Sequence, residues 1–336
     1  MSQPAARPDW APLLADSLDE TWRGDGFDPS VPPALWDHAL RAPLDEFVRR
    51  PGKELRAVVC RLGWALGGGV GPMPEDVALV IDGLHTGSLI IDDLEDGAAE
   101  RRGLPAFHLL HGDAAAINSG TWLYCWALER IAHLGGDPAT QLHMHRRAIA
   151  VLRECHQGQA LDLQARVDEL DVGRTSAVCA AITRGKTAAL AGLAVELAAL
   201  TAGACPRNAA GAARLGHTIG TVLQMLDDVG SLGPHRRAKG HEDLRARRVT
   251  WPWAWLPEVA DALTVARLRE RVRHLDTVAA LDGLADELHA RIAPFARHRI
   301  RHEIDAGLAL ADHDHPDHPA VRTAAALLAR MEESYG

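Results

Sequence analysis

Apolar side chains recur at three- and four-residue intervals through four long Ala/Leu-rich segments, residues 75–96, 114–134, 138–170 and 175–201. That spacing keeps them on one face of a 3.6-residue helix, so each segment is predicted to be helical. The breaks are short and marked by Gly and Pro, at 67–74, 103–105, 135–138 and 233–234. Asp137 ahead of Pro138 predicts a sharp helix start, because its carboxylate takes a free amide and Pro at the first position forfeits no hydrogen bond. No alternating β-branched run reads as a strand, and no repeat or low-complexity linker interrupts the pattern. The expectation is an all-α, single-domain helical bundle over residues 1–336, with residues 1–10 flexible, although 336 residues would allow two domains.

Charge narrows the function classes. With 36 Lys and Arg against 45 Asp and Glu, the formal net charge is −9. An acidic chain lacks the extended basic face that non-specific binding to nucleic acid or anionic membrane requires. Cys60, Cys125, Cys155, Cys179 and Cys205 show no paired spacing, which points to a reducing compartment. No basic cluster followed by an apolar run reads as a signal peptide. The longest apolar stretch, 188–204, carries Glu196 and falls short of a span. A cytoplasmic protein without stable membrane insertion is expected.

Chemistry enters where carboxylates interrupt apolar helix. Asp92 and Asp96 stand four apart, stacked on one helical face, where they repel by a few tenths of a kcal/mol unless a cation lies between them. A solvated acidic helix end is the bland alternative, but the strongly apolar residues before Asp92 argue for burial. Gln224-Met225-Leu226-Asp227-Asp228 repeats the theme, preceded by Gly216 and Gly220, whose spacing suggests close approach by another helix or by ligand. Oxygen-only ligand sets suit Mg²⁺, which keeps waters and bridges to phosphate. Cations accompany the acids: Lys53 and Arg56 at i, i+3, the pair Arg101-Arg102, and Lys186-Thr187 within an apolar helix. Together they describe a site for polyanions, with diphosphates the best fit.

The sequence here resembles the trans-isoprenyl diphosphate synthases, the polyprenyl synthetase family, from about residue 51 to 252. The resemblance is carried, in family order, by Gly52-Lys53-Glu54-Leu55-Arg56, by His85-Thr86-Gly87-Ser88-Leu89-Ile90-Ile91-Asp92-Asp93-Leu94-Glu95-Asp96 and by Arg101-Arg102-Gly103-Leu104-Pro105. It continues through His156-Gln157-Gly158-Gln159-Ala160-Leu161-Asp162, Lys186-Thr187 and Gln224-Met225-Leu226-Asp227-Asp228. The first acidic motif without insertion and the His-Gln-Gly-Gln run are most similar to geranylgeranyl diphosphate synthases of fungi and animals. The resemblance implies the isoprenoid synthase fold with a central active-site cavity, a homodimer, and three Mg²⁺ ions with diphosphate bound. It implies metal binding by Asp92, Asp96 and Asp227. The allylic diphosphate would be held by Arg101, Lys186, Gln224, Lys239 and Arg248, and isopentenyl diphosphate by Gly52, Lys53, Arg56, His85 and Arg102. Lys186, Thr187 and Gln224 would face the forming allylic cation.

Two departures touch the allylic side. Ser231 stands where the fullest second motif has a third Asp, and Lys239 precedes Asp243-Leu244 by four residues instead of five, with Arg248 in place of the second lysine. Product length is expected to follow the turn before Asp92, where Gly87 and Ser88 are small. Trp122 and Trp126, with His156, are candidates for a floor, which suggests a C20 product. Two other functions stay open: a class I terpene cyclase, mimicked by Asp228-x-x-Ser231 although its final Glu position is His235, and a non-catalytic partner subunit. Arg184-Gly185-Lys186-Thr187 lacks the strand and first glycine of a phosphate loop. The His/Asp tract 312–318 reads as a solvated loop, and Trp251, Trp253 and Trp255 as packing at a helix start.

Overall fold

The computed structural model describes residues 10–23, 27–50 and 55–335. Gly52 and Lys53, and residues 1–9 of the expected flexible terminus, lie outside the described residues. Packing groups the chain into two compact units, Met1–Arg61 with Val70–His145, and Leu62–Gly69 with Arg146–Gly336.

In the first unit, α1 (Trp10–Arg23) is followed by α2 (Pro33–Trp36), which widens through Asp37–Arg41 into α3 (Ala42–Val48). The beginning of α4 (Leu55–Leu66), then α5 (Glu75–Glu95), α6 (Phe107–His111), α7 (Asp113–Arg130) and the start of α8 (Pro138–Gln164) complete it. The centre is α5, whose residues from Val77 to Leu84 are all buried. It lies close against α7 because both helices present glycine at the crossing. A Cβ on Gly87 would stand 2.7 Å from the Gly120 carbonyl oxygen, and one on Gly120 would stand 2.9 Å from that of Gly87. Asp137 caps α8 as expected, accepting from the amides of Ala139 (2.8 Å) and Thr140 (3.1 Å).

The second unit holds the rest of α8 with α9 (Val172–Thr183), α10 (Ala189–Thr201), α11 (Pro206–Ser231) and α12 (Arg237–Arg245). It closes with α13 (Trp251–Val259), α14 (Ala262–Arg271), α15 (Val278–Asp314) and α16 (Pro319–Tyr335). A single wide π turn, Arg184–Ala188, joins α9 to α10. The Gly216 and Gly220 pair serves helix packing, not a ligand: added Cβ atoms would stand 2.3 Å from the Ala191 carbonyl oxygen of α10 and 2.6 Å from the Ala188 Cα at the end of the π turn. The run Val172–Thr201 is long and apolar enough to cross a membrane by length and composition. Here it is a core element, α10 being buried from Gly192 to Leu200, and its Glu196 takes both oxygens to Arg147 at 2.7 and 2.9 Å.

Helix existence was legible in the periodicity, and several ends were not. The segment expected over 138–170 leaves the helix after Gln164, where the Val167 amide turns to the Arg247 carbonyl (2.9 Å). The next helix starts at Val172, three residues early, because Asp171 caps it through the Gly173 amide (2.8 Å). A two-residue antiparallel hairpin, β1 (Glu100–Arg101) and β2 (Leu104–Pro105), stands where no strand was expected. It is too short to carry a period-two signal. The tract 312–318 is not wholly a loop, since α15 runs to Asp314 and Arg214 pairs with that residue. Trp251, Trp253 and Trp255 are buried at the start of α13 as expected.

Candidate active site

In the first unit the acidic motif occupies the last turns of α5, and its three aspartates do different work. Asp93 is 0 % exposed and takes Arg101 bidentately, Nε reaching Oδ1 at 2.8 Å and Oδ2 at 3.0 Å. Burial raises the Asp93 carboxyl above its ordinary value, against the pull of Arg101. Removing either partner would leave an uncompensated charge at such depth, at a cost of several kcal/mol. Asp92 and Asp96, four residues apart on one face of the helix end, are half-buried and exposed respectively, with Arg101 Nη2 3.9 Å from Asp92 Oδ2.

Arg101 and Arg102 are presented by the hairpin turn. Arg102 (φ 58°) and Gly103 (φ 80°) both occupy the left-handed region, the two-residue turn whose twist matches antiparallel strands. Arg102 pays for that geometry as a non-glycine residue, a strain that persists only where the surroundings over-determine it. Arg56 pairs with buried Asp82 of α5. Desolvation, then Arg56, Arg102 and Arg101, hold the His85 imidazole well below its ordinary pKa. His85 is therefore neutral near pH 7 and offers an N–H, not a charge. Desolvation, followed by Arg56 and Arg101, also lowers Arg102. Cations that raise each other's cost in this way suit a polyanion.

The small residues before Asp92 behave differently from expectation. Gly87 does not open a space: Gly120 and the Tyr124 ring, 3.2 Å from an added Cβ, cover it. Ser88 is half-buried and donates to the His85 carbonyl (2.7 Å). Trp122 stacks on Trp22 of α1, ring centroids 4.9 Å apart. Trp126 is buried, donates to Thr21 Oγ1 at 2.9 Å, and lies against Gly83 one turn below Gly87. His156 is exposed.

In the second unit a chain of hydrogen bonds runs through the π turn, a distortion frequent at functional sites. Lys186 Nζ donates to Asp162 Oδ2 at 2.8 Å. Buried Arg248 donates to the Asp162 carbonyl and lies 3.5 Å from its carboxylate, so it braces the partner of Lys186. Thr187 donates to Gln224 Oε1 (2.6 Å), and Gln224 Nε2 to Asp228 Oδ1 (2.7 Å). Asp228 Oδ2 accepts the Trp251 amide (2.9 Å). Burial pushes the Asp228 carboxyl up to about 7, despite these donors and Lys239. Gly158 allows the register: its added Cβ would lie 2.5 Å from the Lys186 amide, so α8 and the π turn touch backbone to backbone.

Asp227 pairs with Arg236, its Oδ1 lying 2.6 Å from Nη1. Lys239 sits among Asp243, Asp227 and Asp228, whose carboxylates outweigh desolvation and raise its pKa. The one-residue offset in sequence thus leaves it among the second motif's acids. Ser231 is buried and donates to the Asp228 carbonyl (2.8 Å), so its hydroxyl is consumed within α11. Asp82, Asp162 and Asp228, which pair with these cations and polar groups, are not among the site residues read from the sequence, although each interrupts or follows apolar helix.

Among the described residues, no group of three or more His, Cys, Asp or Glu side chains forms a self-sufficient metal cage. Asp92 with Asp96, and Asp227, supply carboxylate oxygen alone, the donor set of a cation that completes its shell with water and phosphate.

This mainly helical fold is shared by solved prenyl synthases. The chain superposes on decaprenyl diphosphate synthase from Rhodobacter capsulatus with a TM-score of 0.76 at 22% identity, covering 97% of this chain and 96% of that one. It matches polyprenyl synthase from Caulobacter crescentus, solved with calcium and isoprenyl diphosphate, with a TM-score of 0.74 at 22% identity over 100% of both chains. Residues 37–281 match the polyprenyl synthetase family, and the chain belongs to it. Geranylgeranyl pyrophosphate synthase janG of Penicillium janthinellum is 29% identical over 290 residues, 80% of this chain and 74% of that protein. Geranylgeranyl pyrophosphate synthase 2 of Zymoseptoria tritici is 31% identical over 225 residues, 64% of each chain, so this chain spans under two thirds of that relative.

Proposed function

We propose that this protein is a chain-elongating prenyltransferase that condenses isopentenyl diphosphate with an allylic prenyl diphosphate, giving the C20 geranylgeranyl product. The observation that carries the reading is the crowding of Arg56, Arg101 and Arg102 around neutral His85, close to the acidic end of α5. A cyclase has only one diphosphate to hold and no use for this second cationic set. Ser231 speaks against the cyclase as well, since it is buried, at 2 % exposure, and so is withdrawn from solvent and ligand.

In this reading Asp92, Asp96 and Asp227 hold Mg²⁺, three ions when diphosphate is bound. The metal supplies neutralisation of charge on the departing diphosphate. Arg101 and Lys186 bind that diphosphate as it leaves, with Lys239 nearby, while Arg248 acts through Asp162. Arg56, Arg102 and the His85 N–H orient isopentenyl diphosphate, with Lys53 assigned to the same task from the sequence. Thr187 and Gln224 place oxygen dipoles that favour positive charge on the allylic carbon. Resemblance to the family supports assembly as a homodimer, which sedimentation velocity tests.

Product mass spectrometry with farnesyl diphosphate and Mg²⁺, with isopentenyl diphosphate present or omitted, decides the activity. A longer prenyl diphosphate is expected only when isopentenyl diphosphate is present. Hydrocarbon or alcohol formed without it would establish the cyclase instead. The same assay reads the floor: Trp122→Ala and Trp126→Ala are each expected to shift product beyond C20. An unchanged length in both sinks the floor assignment. Trp126→Ala also removes a buried side chain and is expected to cost about 3–5 kcal/mol of stability, measurable by denaturant melts.

A further inference from the structure

Arg50 belongs to none of the motifs above, yet it is only 2 % exposed, and every contact its guanidinium makes bears on the diphosphate-binding hairpin or locks it in place. Nε and Nη2 take the two oxygens of Glu46, each at 2.9 Å. Nη1 donates to two backbone carbonyls, Arg101 at 3.3 Å and Pro105 at 2.9 Å, which lie on the two strands of the hairpin. The Phe47 ring lies beneath, its centroid 4.9 Å from the guanidinium carbon. The contact is reciprocal, because Arg102 Nη1 donates to the Arg50 carbonyl at 3.1 Å.

We infer that Arg50 is a positioning residue for isopentenyl diphosphate, holding the left-handed turn that presents Arg102; the inference rests on the prenyltransferase reading of the site. A planar fork satisfies a carboxylate with one edge and two carbonyls with the other, which a lysine cannot do. The turn needs such an anchor, since Arg102 holds a φ of 58° that side-chain-bearing residues adopt only under constraint. Arg101 is affected much less, because Asp93 fixes its guanidinium independently. In sequence Arg50 also directly precedes Pro51-Gly52-Lys53, so one residue links two segments assigned to the same ligand.

Calorimetric titration of the full-length protein in Mg²⁺, with isopentenyl diphosphate and separately with farnesyl diphosphate, tests this. Arg50→Met is expected to weaken isopentenyl diphosphate about tenfold to a hundredfold, the scale of a misplaced binding group, and to leave farnesyl diphosphate within about twofold. Arg50→Lys, which keeps charge but not the fork, falls between. Equal isopentenyl diphosphate affinity in all three proteins overturns the inference, and so does an equal loss for both ligands, which is what a mere fold staple would give. Should Arg50→Met lose the wild-type far-UV spectrum, Arg50→Lys and Glu46→Gln decide by the same comparison. A wild type that binds isopentenyl diphosphate but makes no longer product counts against the prenyltransferase reading and leaves the binding difference, and Arg50's role, standing.

Discussion

Asp92→Asn is expected to lower kcat by at least about a thousandfold, equivalent to roughly 4 kcal/mol of transition-state stabilisation, with the far-UV spectrum and melting temperature unchanged. The two halves of that result follow from the division of labour on α5. Asp93 carries the structural pairing with Arg101, at 0 % exposure, while Asp92 is half-buried and 3.9 Å from the same guanidinium. Removing the Asp92 charge therefore strands no buried cation. In the proposed role it replaces a charged carboxylate ligand by a neutral amide, weakening the cation that would neutralise the departing diphosphate, an effect worth several kcal/mol in such sites. Asp93→Asn should show the reverse balance, with a lowered melting temperature, because Arg101 then loses its charged partner at depth. Steady-state kinetics at saturating substrate and Mg²⁺, beside denaturant melts, separate the two. Less than a tenfold loss of kcat in Asp92→Asn would remove the metal role. Turnover unchanged in a complex with another prenyl synthase chain would move the protein to the partner-subunit reading.

The helices and the acid clusters were legible because each leaves a periodic or compositional trace. Apolar spacing exposed α5, α7, α8 and the α9–α10 run, and carboxylates inside apolar helix drew attention to Asp92, Asp96 and Asp227. What stayed hidden depends on tertiary contacts between distant residues. Arg50 stands in no motif of the sequence, and the carbonyl it reaches lies 51 positions later, in the hairpin. Gly87 is small in the sequence for either of two reasons, an open pocket or a close helix, and the Gly120 carbonyl decides for the second. Arg248 is assigned to the diphosphate by its charge, and the structure adds that its buried guanidinium also reaches Asp162. Ser231 looks like a lost metal ligand, and its hydroxyl turns out to be bound within α11. In each case residue type narrows the options and geometry picks one.

Asp162 offers the second large effect, because it joins two cations that sequence alone assigns independently. Lys186→Gln is expected to reduce kcat/KM for the allylic substrate about a hundredfold to a thousandfold, the scale lost with one charge-stabilising donor. The ammonium lies on a π turn pinned by backbone contact between Gly158 and Gly185, so the loss is local and the fold survives. Asp162→Asn removes the charge that aims Lys186 from 2.8 Å away, but keeps the backbone carbonyl that receives Arg248. It should therefore fall between wild type and Lys186→Gln, with the allylic KM raised and the isopentenyl diphosphate KM unchanged. Lys186→Arg should not restore activity, since a planar fork cannot reproduce a point charge in the same place. Measuring kcat/KM for each substrate in the three variants orders them: wild type, then Asp162→Asn, then Lys186→Gln beside Lys186→Arg. Full activity in Asp162→Asn would mean that Lys186 finds its position without the carboxylate, and that Arg248 braces nothing the reaction needs.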